Sequence, residues 1–564
     1  MATHTDAPDE RVALSRAFEL QQAGRLADAE VLYAQVLARA PDDTTALVNG
    51  GALAVARGDL PLAIARFERV VRMAPANAAA QSNLGFALLR AGRDDEALAA
   101  LDRAIALLPD YAQAHNNRGI ALLRLRRPDD ALAAFERAAT LDPRFAEAAL
   151  NLGEQYNLAG EGGKAAVAYD RVLTLAPARI EAVTGRAFAQ AQQGDLAGAA
   201  AALAMITGTH PGNAAAWQTL GAVRNWAWDH AGAEEAFRRA LALDPANDDA
   251  AFGIASTLLA RGDFTAGWRA FERRPDRGAE SGTAFARLPV WDGAPLAGTL
   301  VVHGEQGLGD TVQFARFLAD ARQRVGRLVL LLDGYRAPLA PLLASAAGVD
   351  LVATDAADAA IVDATARVSV LSLPDRLGIG GDRLAPNGPY LAPPAERTRA
   401  WRARTGGIAT PRVGLAWSVL VRDTHGFVTR QRLLPIAALR PLVTTPGVSF
   451  VTLQPGAAGN PAAFGADAAR IVDLRDHVRD FADTAALIDT LDLVVTADTA
   501  VAHVAGALGK PVWMFDRFNA CWRWRLATAT TPWYPTLRIF RQERFGDWSG
   551  VARRLAAAFA ERYR

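Results

Sequence analysis

The sequence has little of what builds covalently or metal-stabilised folds, and it has no excess of either charge. Its 564 residues include one cysteine, Cys521, so it can form neither an internal disulfide nor a cage of thiolate metal ligands. Lys and Arg number 61 against 60 Asp and Glu. This near-equal number of positive and negative charges provides no basic surface of the kind that nucleic-acid binding requires. We therefore expect no nucleic-acid partner.

Signals for export and membrane insertion are also missing. The first residues, MATHTDAPDE, lack the basic region and apolar core of a signal peptide. The longest run without charged residues, 196–223, is cut by the turn sequence TGTHPGN and does not predict a membrane span. We therefore predict a cytoplasmic protein without stable membrane insertion. An apolar share of 51% is enough for several globular domains at this length.

A 34-residue period occupies the first half of the chain. Seven prolines recur at this spacing, from Pro41 to Pro245. Counting back from them, glycine or alanine recurs where two helices would cross, and large side chains such as Phe67 and Phe135 fill the gap between helices. This pattern resembles the tetratricopeptide repeat, a helical hairpin that buries its free face by stacking. After a polar tail at 1–9, we predict a superhelix of seven to eight repeats over 10–279 that binds an acceptor or partner.

One repeat position carries asparagine four times in succession, at Asn49, Asn83, Asn117 and Asn151. Because an amide both donates and accepts, such a row can hold an extended peptide by its backbone. The row resembles the asparagine ladder of the O-GlcNAc transferases. The alternative stays open that these side chains only satisfy neighbouring backbone groups, as Asn is frequent at this position of tetratricopeptide units.

After residue 280, short apolar runs that end in polar or glycine turns replace the helical pairs. Continuously apolar runs are typical of parallel strands buried on both faces. The strand candidates are TLVVHG, RLVLLLDG, VDLVATD, RVGLAWS, VSFVTLQ, ARIVDL, LDLVVTAD and KPVWMF. The polar stretch NGPYLAPPAERTRAWRART separates the first three from the last five. We predict an α + α/β protein with two Rossmann-like halves, 280–400 and 401–564, a hinge, and a ligand cleft at the carboxyl ends of the strands.

The glycine-rich turn HGEQGLGD follows the first predicted strand and carries Asp310. Its glycines do not follow the dinucleotide-binding order G-x-G-x-x-G, and an aspartate at the helix start would repel a pyrophosphate. Motifs of P-loop hydrolases, zinc proteases and serine esterases do not occur. We predict that Asp310 is a general base that accepts a proton from an acceptor hydroxyl. Simple helix capping is the alternative.

A second motif, LDLVVTADTAVAHVAGALGKPVWMF, combines a strand, a turn with Asp498 and Thr499, and a helix carrying His503. Free N–H groups and the helix dipole favour anions, so Thr499 and these amides can hold a diphosphate. His503 can donate to the same phosphate. Taken singly, Asp498 is better explained as a simple cap and His503 as a helix histidine bonded to a neighbour. Their combination favours binding.

These motifs together resemble a known family. DTAVAHVAGALGKPV is similar to the nucleotide-sugar motif of glycosyltransferase family 9, the heptosyltransferases, and GEQGLGD to their N-terminal glycine-rich loop. The ordered set HGEQGLGDTVQFARF, VGLAWS, DFADTAALI, ADTAVAHVAGALGKPVW, WRW, PWYP and RIFRQ resembles bacterial tetratricopeptide proteins with a C-terminal glycosyltransferase domain, including flagellin-modifying ones. The resemblance implies a GT-B fold, an inverting mechanism, and a nucleotide-sugar substrate without metal or other cofactor. It makes a CMP-activated nonulosonic acid one candidate donor.

The resemblance also implies roles for individual residues. Asp310 is the candidate base, and the residues placed around the loop and acceptor are Glu305, Gly307, Gly309 and Gln313. The implied donor-binding residues are Ser418, Gln454, Asp483, Thr484, Asp498, Thr499, His503, Arg523 and Arg541. Arg523 and Arg541 would offset the charge of the leaving group, although an arginine beside tryptophans is equally a stacked structural residue.

One stretch departs from the family pattern. After VGLAWS the chain reads VLVRDTHGFVTRQRLLP, where relatives show Asn, Pro and His followed by an Asp-Arg pair. Either His425, Arg430 and Arg432 take over those roles, or the donor differs, or activity is lost.

We predict a protein O-glycosyltransferase with flagellin, or another surface protein, as the favoured acceptor. The alternatives are an adaptor with a degenerate transferase domain, a lipopolysaccharide sugar transferase, and a nucleotide-sugar sensor.

Overall fold

A computed structural model describes residues 7–274, 285–384, 388–417, 434–456, 459–524 and 528–563. The chain divides into two compact units, Met1–Ala189 and Gln190–Arg564. Among the described residues, none of the helices combines the length and apolar character needed to cross a bilayer.

Paired helices make up the first unit, with one pair in each 34-residue period. The second helix of a pair ends two residues before the proline of its repeat, because proline cannot continue a helix. Polar side chains start several helices: Asp59, for example, accepts a hydrogen bond from the N–H of Leu62. The helices are α1 Ala7–Gln22, α2 Leu26–Arg39, α3 Thr44–Ala56, α4 Leu60–Met73, α5 Ala78–Arg90, α6 Asp94–Leu107, α7 Ala112–Arg124, α8 Pro128–Leu141, α9 Ala146–Leu158, α10 Gly162–Leu175 and α11 Ile180–Gln192.

Glycines in the first helix of a pair allow a ring from the second helix to lie against the backbone. A Cβ atom at Gly51 would come within 2.7 Å of the Phe67 ring, and one at Gly119 within 2.6 Å of the Phe135 ring. Real Cβ atoms do not approach so closely, so only glycine fits at these two crossings. The expectation that small residues mark the helix crossings is confirmed.

The second unit begins with further helices and continues into two parallel sheets. These helices are α12 Leu196–Thr209, α13 Ala214–Trp226, α14 His230–Leu243, α15 Asp248–Arg261 and the short α16 Phe264–Phe271. Three side chains of α16, Phe264, Trp268 and Phe271, are buried. Trp268 and Phe271 share one hydrophobic core with residues of both sheets, among them Val302 and Val494.

The first sheet has four parallel strands in the order β3–β2–β1–β4. Its strands are β1 Leu296–His303, β2 Val325–Leu331, β3 Leu351–Ala353 and β4 Ala366–Ser369. Short helices follow the strands: α17 Leu308–Phe314, α18 Leu318–Arg322, α19 Ala340–Leu343, α20 Ala359–Val362 and α21 Leu373–Leu377. His303 is in register with Leu331 and Ser369, so β1, β2 and β4 end at one edge.

The second sheet has seven strands in the order β10–β11–β9–β8–β5–β6–β7. All its neighbours are parallel except β10 and β11. The strands are β5 Arg412–Ala416, β6 Ser449–Thr452, β7 Ile471–Val472, β8 Leu493–Ala497, β9 Val512–Asp516, β10 Thr530–Thr531 and β11 Tyr534–Arg541. The helices are α22 Ala395–Thr405, α23 Arg440–Val443, α24 Phe481–Asp489, α25 Ala500–Ala507 and α26 Trp548–Arg562.

The predicted fold class is confirmed: a tetratricopeptide α-solenoid precedes two Rossmann-like α/β halves. All eight predicted strands form, but sequence reasoning missed β4, β10 and β11. The segments ARVS and YPTLRIFR carry arginines and lack a continuous apolar run, so they do not look like buried strands. The stretch predicted as a hinge contains α22, whose Trp401 is buried and donates to Asp483 on α24 at 3.1 Å.

Candidate active site

The two glycine-rich motifs meet where α17 of the first sheet's half packs on α25 of the second. Both helices follow the carboxyl ends of central strands, β1 and β8, as expected for ligand sites in parallel sheets. A Cβ atom at Gly309 would lie 2.7 Å from Cδ2 of His503 and 3.4 Å from Cα of Ala500. The absence of a side chain at Gly309 therefore permits this close approach.

Asp310 uses its two carboxylate oxygens for different partners. Oδ2 accepts a hydrogen bond of 2.9 Å from the N–H of Gly307, which caps α17. Oδ1 accepts one of 2.5 Å from Nη2 of Arg523. The side chain of Asp310 is 21% exposed and that of Arg523 is 10% exposed. Asp310 thus caps α17 and keeps part of its carboxylate exposed; its role as a base stays a prediction.

Arg523 organises the other polar groups around Asp310. Its Nε donates to Oε1 of Gln313 at 2.8 Å, and its Nη1 donates to Sγ of Cys521 at 3.1 Å. Burial acts to lower the pKa of Arg523, but Asp310 and other negative groups outweigh it, so the guanidinium stays charged. The guanidinium also lies over the Trp522 ring at 4.3 Å. Arg523 thus stacks on a tryptophan and pairs with Asp310. Its predicted contact with the leaving group stays a prediction.

Gln313 is completely buried, and its Nε2 group finds no acceptor among the described residues. A buried amide without an acceptor is unfavourable, so a ligand oxygen at this position would be stabilised by it. Gln313 and Asp310 both bind Arg523. The predicted place of Gln313 near the acceptor stays a prediction.

His503 is a buried, neutral imidazole. Its Nδ1 forms a hydrogen bond of 3.0 Å with the Tyr534 hydroxyl, and its ring lies 5.4 Å from that of Trp524. Burial lowers the pKa of His503 from its usual 6.5 to about 4, although Asp498 and Asp310 act in the opposite direction. At neutral pH His503 can therefore exchange hydrogen bonds with a ligand but does not supply a positive charge.

Asp498 and Thr499 form the turn between β8 and α25. Thr499 is the N-cap residue of α25. Its hydroxyl lies 3.2 Å from that of Thr496 and does not bond to the amides at the start of the helix. Asp498 is buried close enough to His503 and Arg523 to influence the pKa of both. Gly309, the residue before Asp310, lies against Ala500 of α25, so the start of this helix is close to the loop of Asp310. The predicted binding of the donor phosphates there stays a prediction.

Arg541 is the last residue of β11, and its side chain lies at the end of the neighbouring strand β9. Its Nε is 3.3 Å from Oδ2 of Asp516, the last residue of β9, and its Nη2 donates to the Trp524 carbonyl at 2.5 Å. Burial raises the pKa of Asp516 to about 6, while Arg541 acts to lower it. Arg541 is therefore held by protein groups, and its predicted contact with the donor stays a prediction.

Asp483 has a packing task that sequence reasoning did not foresee. Its Oδ1 accepts from Arg397 at 2.8 Å and from Trp401 at 3.1 Å, and its Oδ2 accepts from Arg479 at 2.9 Å. The carboxylate is 1% exposed. These donors occupy both oxygens, so we assign Asp483 to joining α22 and α24 rather than to the nucleotide. The neighbouring Thr484 hydroxyl donates to the Asp480 carbonyl at 3.2 Å, within its own helix.

Glu305, which was predicted to lie near the loop and acceptor, also has a structural role: it anchors the loop. Its carboxylate receives two hydrogen bonds from Arg274, of 2.6 and 2.5 Å, and is buried. It is therefore engaged with the residues that follow α16 and does not offer its charge to an acceptor. Gly307 and Gly309 shape the loop as expected.

The remaining predicted donor-binding residues contribute less. Gln454 lies two residues beyond β6 and is buried, with its N–H donating to the Thr452 hydroxyl at 3.3 Å. Ser418 lies outside the described residues, as do His425, Arg430 and Arg432 of the divergent stretch. Their predicted roles stay predictions.

The four asparagines of the predicted ladder, Asn49, Asn83, Asn117 and Asn151, lie on α3, α5, α7 and α9. Asn117 is buried and accepts a hydrogen bond of 3.2 Å from Gln113 on its own helix. Asn151 donates to Asn116 at 2.8 Å. Asn49 forms a side-chain hydrogen bond with Tyr33. Partners within the chain therefore exist for three of the four, and both interpretations stay open.

Sequence reasoning missed two residues that hold the site together. Arg316 donates to the carbonyls of Leu384 and Trp533 at 2.7 and 2.8 Å and lies over the Tyr534 ring at 4.8 Å. It thus ties the helix of Asp310 to β11 of the other half. The signal was an arginine within the apolar helix segment VQFARFL. Tyr534, the partner of His503, stands in the quoted stretch PWYP.

Comparisons with known proteins agree with this division of the chain. Models of the tetratricopeptide repeat match residues 48–112, 112–145 and 229–280. The model of glycosyltransferase family 9 (heptosyltransferase) matches residues 479–513, the segment that carries Asp498, Thr499 and His503. The predicted architecture, tetratricopeptide repeats followed by a glycosyltransferase region, is confirmed.

Protein FlbA of Caulobacter vibrioides is 30% identical to this chain over 333 residues. The match covers 55% of this chain and 54% of FlbA, so it spans about half the length of that relative.

Several solved structures resemble the repeats. TTC0263 of Thermus thermophilus, a tetratricopeptide protein, is 24% identical over 32% of this chain and 99% of its own, with a TM-score of 0.29. Pseudomonas aeruginosa PilF is 19% identical over 37% of this chain and 94% of its own, with a TM-score of 0.34. Likenesses this weak carry no argument, and the repeat fold rests on the helix pairs and the family models.

Proposed function

We propose that this chain is an inverting, metal-independent protein O-glycosyltransferase. It would move a sugar from a nucleotide-sugar donor to a Ser or Thr hydroxyl of a protein held by the repeats. The observation that carries the proposal is the placement of Asp310 and its partner Arg523 beside α25, the helix of the family 9 segment. A proton acceptor and an anion-favouring helix start are thereby brought to one place.

The proposed chemistry is a single displacement. The acceptor oxygen attacks the anomeric carbon while the bond from that carbon to the donor phosphate breaks. Asp310 takes the hydroxyl proton, and the nucleotide leaves with its phosphate charge. One displacement inverts the configuration at the anomeric carbon.

Individual groups then have distinct tasks in this reaction. The amides at the start of α25 and the Thr499 hydroxyl stabilise the charge of the leaving phosphate. Arg523 orients Asp310 rather than the phosphate, because its guanidinium is already bound to that carboxylate. The Nε2 amide of Gln313 donates to an oxygen of the bound sugar or acceptor. Among the described residues no group of three His, Cys, Asp or Glu side chains is placed to hold a metal ion, and metal independence belongs to the proposal.

The repeats support a protein as the acceptor. A peptide-binding surface on the same chain raises the effective concentration of many hydroxyl groups without a strict local sequence. Flagellin is the first acceptor to test and a CMP-activated nonulosonic acid the first donor, both from the resemblance to flagellin-modifying relatives.

The test is the transfer reaction itself. Purified full-length protein is incubated with flagellin and a panel of sugar nucleotides, and the acceptor is read by intact mass. We expect a mass increment of one sugar per site, and D310N should slow its appearance by roughly 100-fold or more, since general-base catalysis contributes that much. D320N is the matched control, because Asp320 is also paired with an arginine, Arg383 at 3.1 Å, but lies on α18.

Other outcomes separate the alternatives. Unmodified flagellin that co-purifies with the chain, with no donor supporting transfer, would indicate an adaptor. Transfer to a lipopolysaccharide fragment but to no protein would indicate a lipopolysaccharide sugar transferase. Full activity in D310N would remove Asp310 from its proposed role.

A further inference from the structure

Helix α16 and the residues just after it contact neighbours of both Asp310 and Arg523: Glu305 in the loop before Asp310, and Trp522 before Arg523. One connection is ionic and leads to the loop of Asp310. The other is aromatic and leads to the residue before Arg523. Both belong to the second compact unit, which contains α16 and the two sheets together.

The ionic connection begins at Arg274, whose side chain is fully buried. Nε and Nη2 donate to the two oxygens of Glu305 at 2.6 and 2.5 Å, and Nη2 also donates to the Ser372 hydroxyl at 3.0 Å. Glu272 lies 3.1 Å from Nη1. A two-pronged arginine–carboxylate contact fixes orientation as well as distance, so Arg274 sets the position of Glu305.

Glu305 is followed by a loop with little freedom. Gln306 has a φ of +53°, in the left-handed region that few residues other than glycine adopt. Its carbonyl accepts hydrogen bonds from the Tyr335 hydroxyl and, at 3.3 Å, from Arg336. The next residue, Gly307, donates to Asp310. A displacement of Glu305 would therefore be passed on to the carboxylate of Asp310.

The aromatic connection runs from α16 to Trp522. The Trp268 and Phe271 rings lie 5.5 and 5.8 Å from the Trp522 ring, in edge-to-face geometry. Trp522 in turn lies under the guanidinium of Arg523. Edge-to-face ring pairs are favourable beyond their buried area, so these contacts hold the start of the WRW segment in place.

We propose that α16 with Arg274 is a positioning element of the transfer site, fixing Asp310 through Glu305 and Arg523 through Trp522. The catalytic part of this inference rests on the proposed function; the structural part does not. The last helix of the repeat region is then part of the active-site scaffold, and Arg274 and Glu305 are positioning residues.

A buried ion pair is weak evidence of stability alone, because desolvation opposes the attraction of the charges. Fixed geometry matters more to catalysis, where a misplacement of about 1 Å can cost roughly 100-fold in rate. The pair is therefore expected to affect turnover more than folding.

The test uses E305Q and R274K in the full-length chain. E305Q keeps the shape of the side chain and leaves Arg274 paired with Glu272, and R274K keeps the charge but loses the two-pronged contact. Both should lower kcat by roughly 10- to 100-fold with an unchanged KM for the donor. A purely structural role would lower Tm and leave kcat of the folded protein unchanged, which would overturn the proposal.

A second readout needs no activity. Cys521, the one cysteine of the sequence, receives a hydrogen bond from Arg523, so its alkylation rate reports the position of that guanidinium. We expect faster alkylation in E305Q and R274K than in the parent chain. Unchanged alkylation in both folded variants would refute the positioning role even if no substrate were ever found. Loss of transfer in the parent chain would instead refute the proposed function.

The matched control is E30Q. Glu30 forms a similar two-pronged pair with Arg66, at 2.5 and 2.9 Å, in the first unit. E30Q should change neither kcat nor the alkylation rate of Cys521. An equal effect of E30Q and E305Q on kcat and alkylation would also count against a specific role for α16.

Discussion

At the scale of single residues, Asp310 and Asp483 show how hydrogen-bond partners give identical side chains different roles. Asp310 binds one backbone amide and one guanidinium and keeps part of its surface exposed. Asp483 is enclosed by an indole and two arginines and has no exposed oxygen to offer. Both stand near the start of a helix in a quoted motif, so only their surroundings distinguish the partly exposed carboxylate from the enclosed one.

His503 gives a pH prediction at the same scale. Its pKa is about 4 in the folded protein and 6.5 when exposed, so the unfolded chain binds the proton more readily between these values. Stability contributed by the neutral ring is therefore present above pH 6.5 and lost as pH falls toward 4. We expect H503Q to flatten the dependence of Tm on pH across this window.

The raised pKa of Asp516 has the opposite effect on the pH dependence of stability. Its folded value of about 6 exceeds the usual 3.8, so protonation in the folded state adds stability as pH falls through 6. Comparing H503Q with the parent chain cancels this contribution. An identical Tm profile for the two proteins would contradict the pKa assigned to His503.

At the scale of elements, the packing of α17 on α25 depends on one missing side chain. G309A would place a methyl group 2.7 Å from His503 and should destabilise the protein by about 1–3 kcal/mol, as overpacked contacts do. It should also slow transfer, since the two helices carry Asp310 and the predicted phosphate site. Urea unfolding and the transfer assay measure the two effects.

G163A is the control for that substitution. Gly163 is exposed on α10, and a Cβ atom there would meet nothing within 4 Å. Alanine favours a helix over glycine by up to about 1 kcal/mol, so G163A should be neutral or stabilising. A G309A protein as stable as G163A would show that the helices approach less closely than described.

Strands β4 and β11 illustrate why some elements escape prediction from the sequence. β11, YPTLRIFR, carries a proline and mixes exposed and buried residues without regular alternation, while β4 has four residues, one of them arginine. Their positions next to β9 and β1 are decided by pairing with those strands. Local sequence does not contain that information.

At the scale of the whole molecule, the compact units do not coincide with the change from helices to strands. Helices α12–α16 belong to the same unit as both sheets. We predict that a fragment of residues 190–564 folds with one cooperative transition, whereas residues 285–564 aggregate, because removing α16 uncovers Trp522 and Trp533. Thermal melts and gel filtration check this; a soluble, cooperatively folded 285–564 fragment would contradict it.

The asparagine row supplies the other prediction at this scale. Replacing Asn49, Asn83, Asn117 and Asn151 with alanine should raise the acceptor KM by at least about tenfold, since each lost hydrogen bond contributes roughly 1 kcal/mol. Hydrolysis of the donor without acceptor should not change, because the proposed donor-binding residues lie in the second unit. A lower Tm with an unchanged acceptor KM would instead favour the packing interpretation.

The sequence by itself determined the repeats, the eight main strands and the two motifs that meet at the site. These features follow from local rules: a 34-residue period, continuous apolar runs, and glycine-rich turns between strand and helix. The closeness of Asp310 to the start of α25 does not follow from these rules, because β1 and β8 belong to different sheets and only the packing of α17 on α25 brings the two motifs together.

Only the tertiary structure decided which charges pair. Arg523 and Asp310 are separated by 212 intervening residues, and Arg274 reaches Glu305 from the far side of a stretch with no distinctive motif. The packing of whole helices and strands decides which donors lie near a buried carboxylate. Any donor within reach can offset part of the cost of desolvating that charge, so the local sequence does not determine the partner. The tasks of Asp483, Glu305 and Arg316 therefore became visible only in the folded chain.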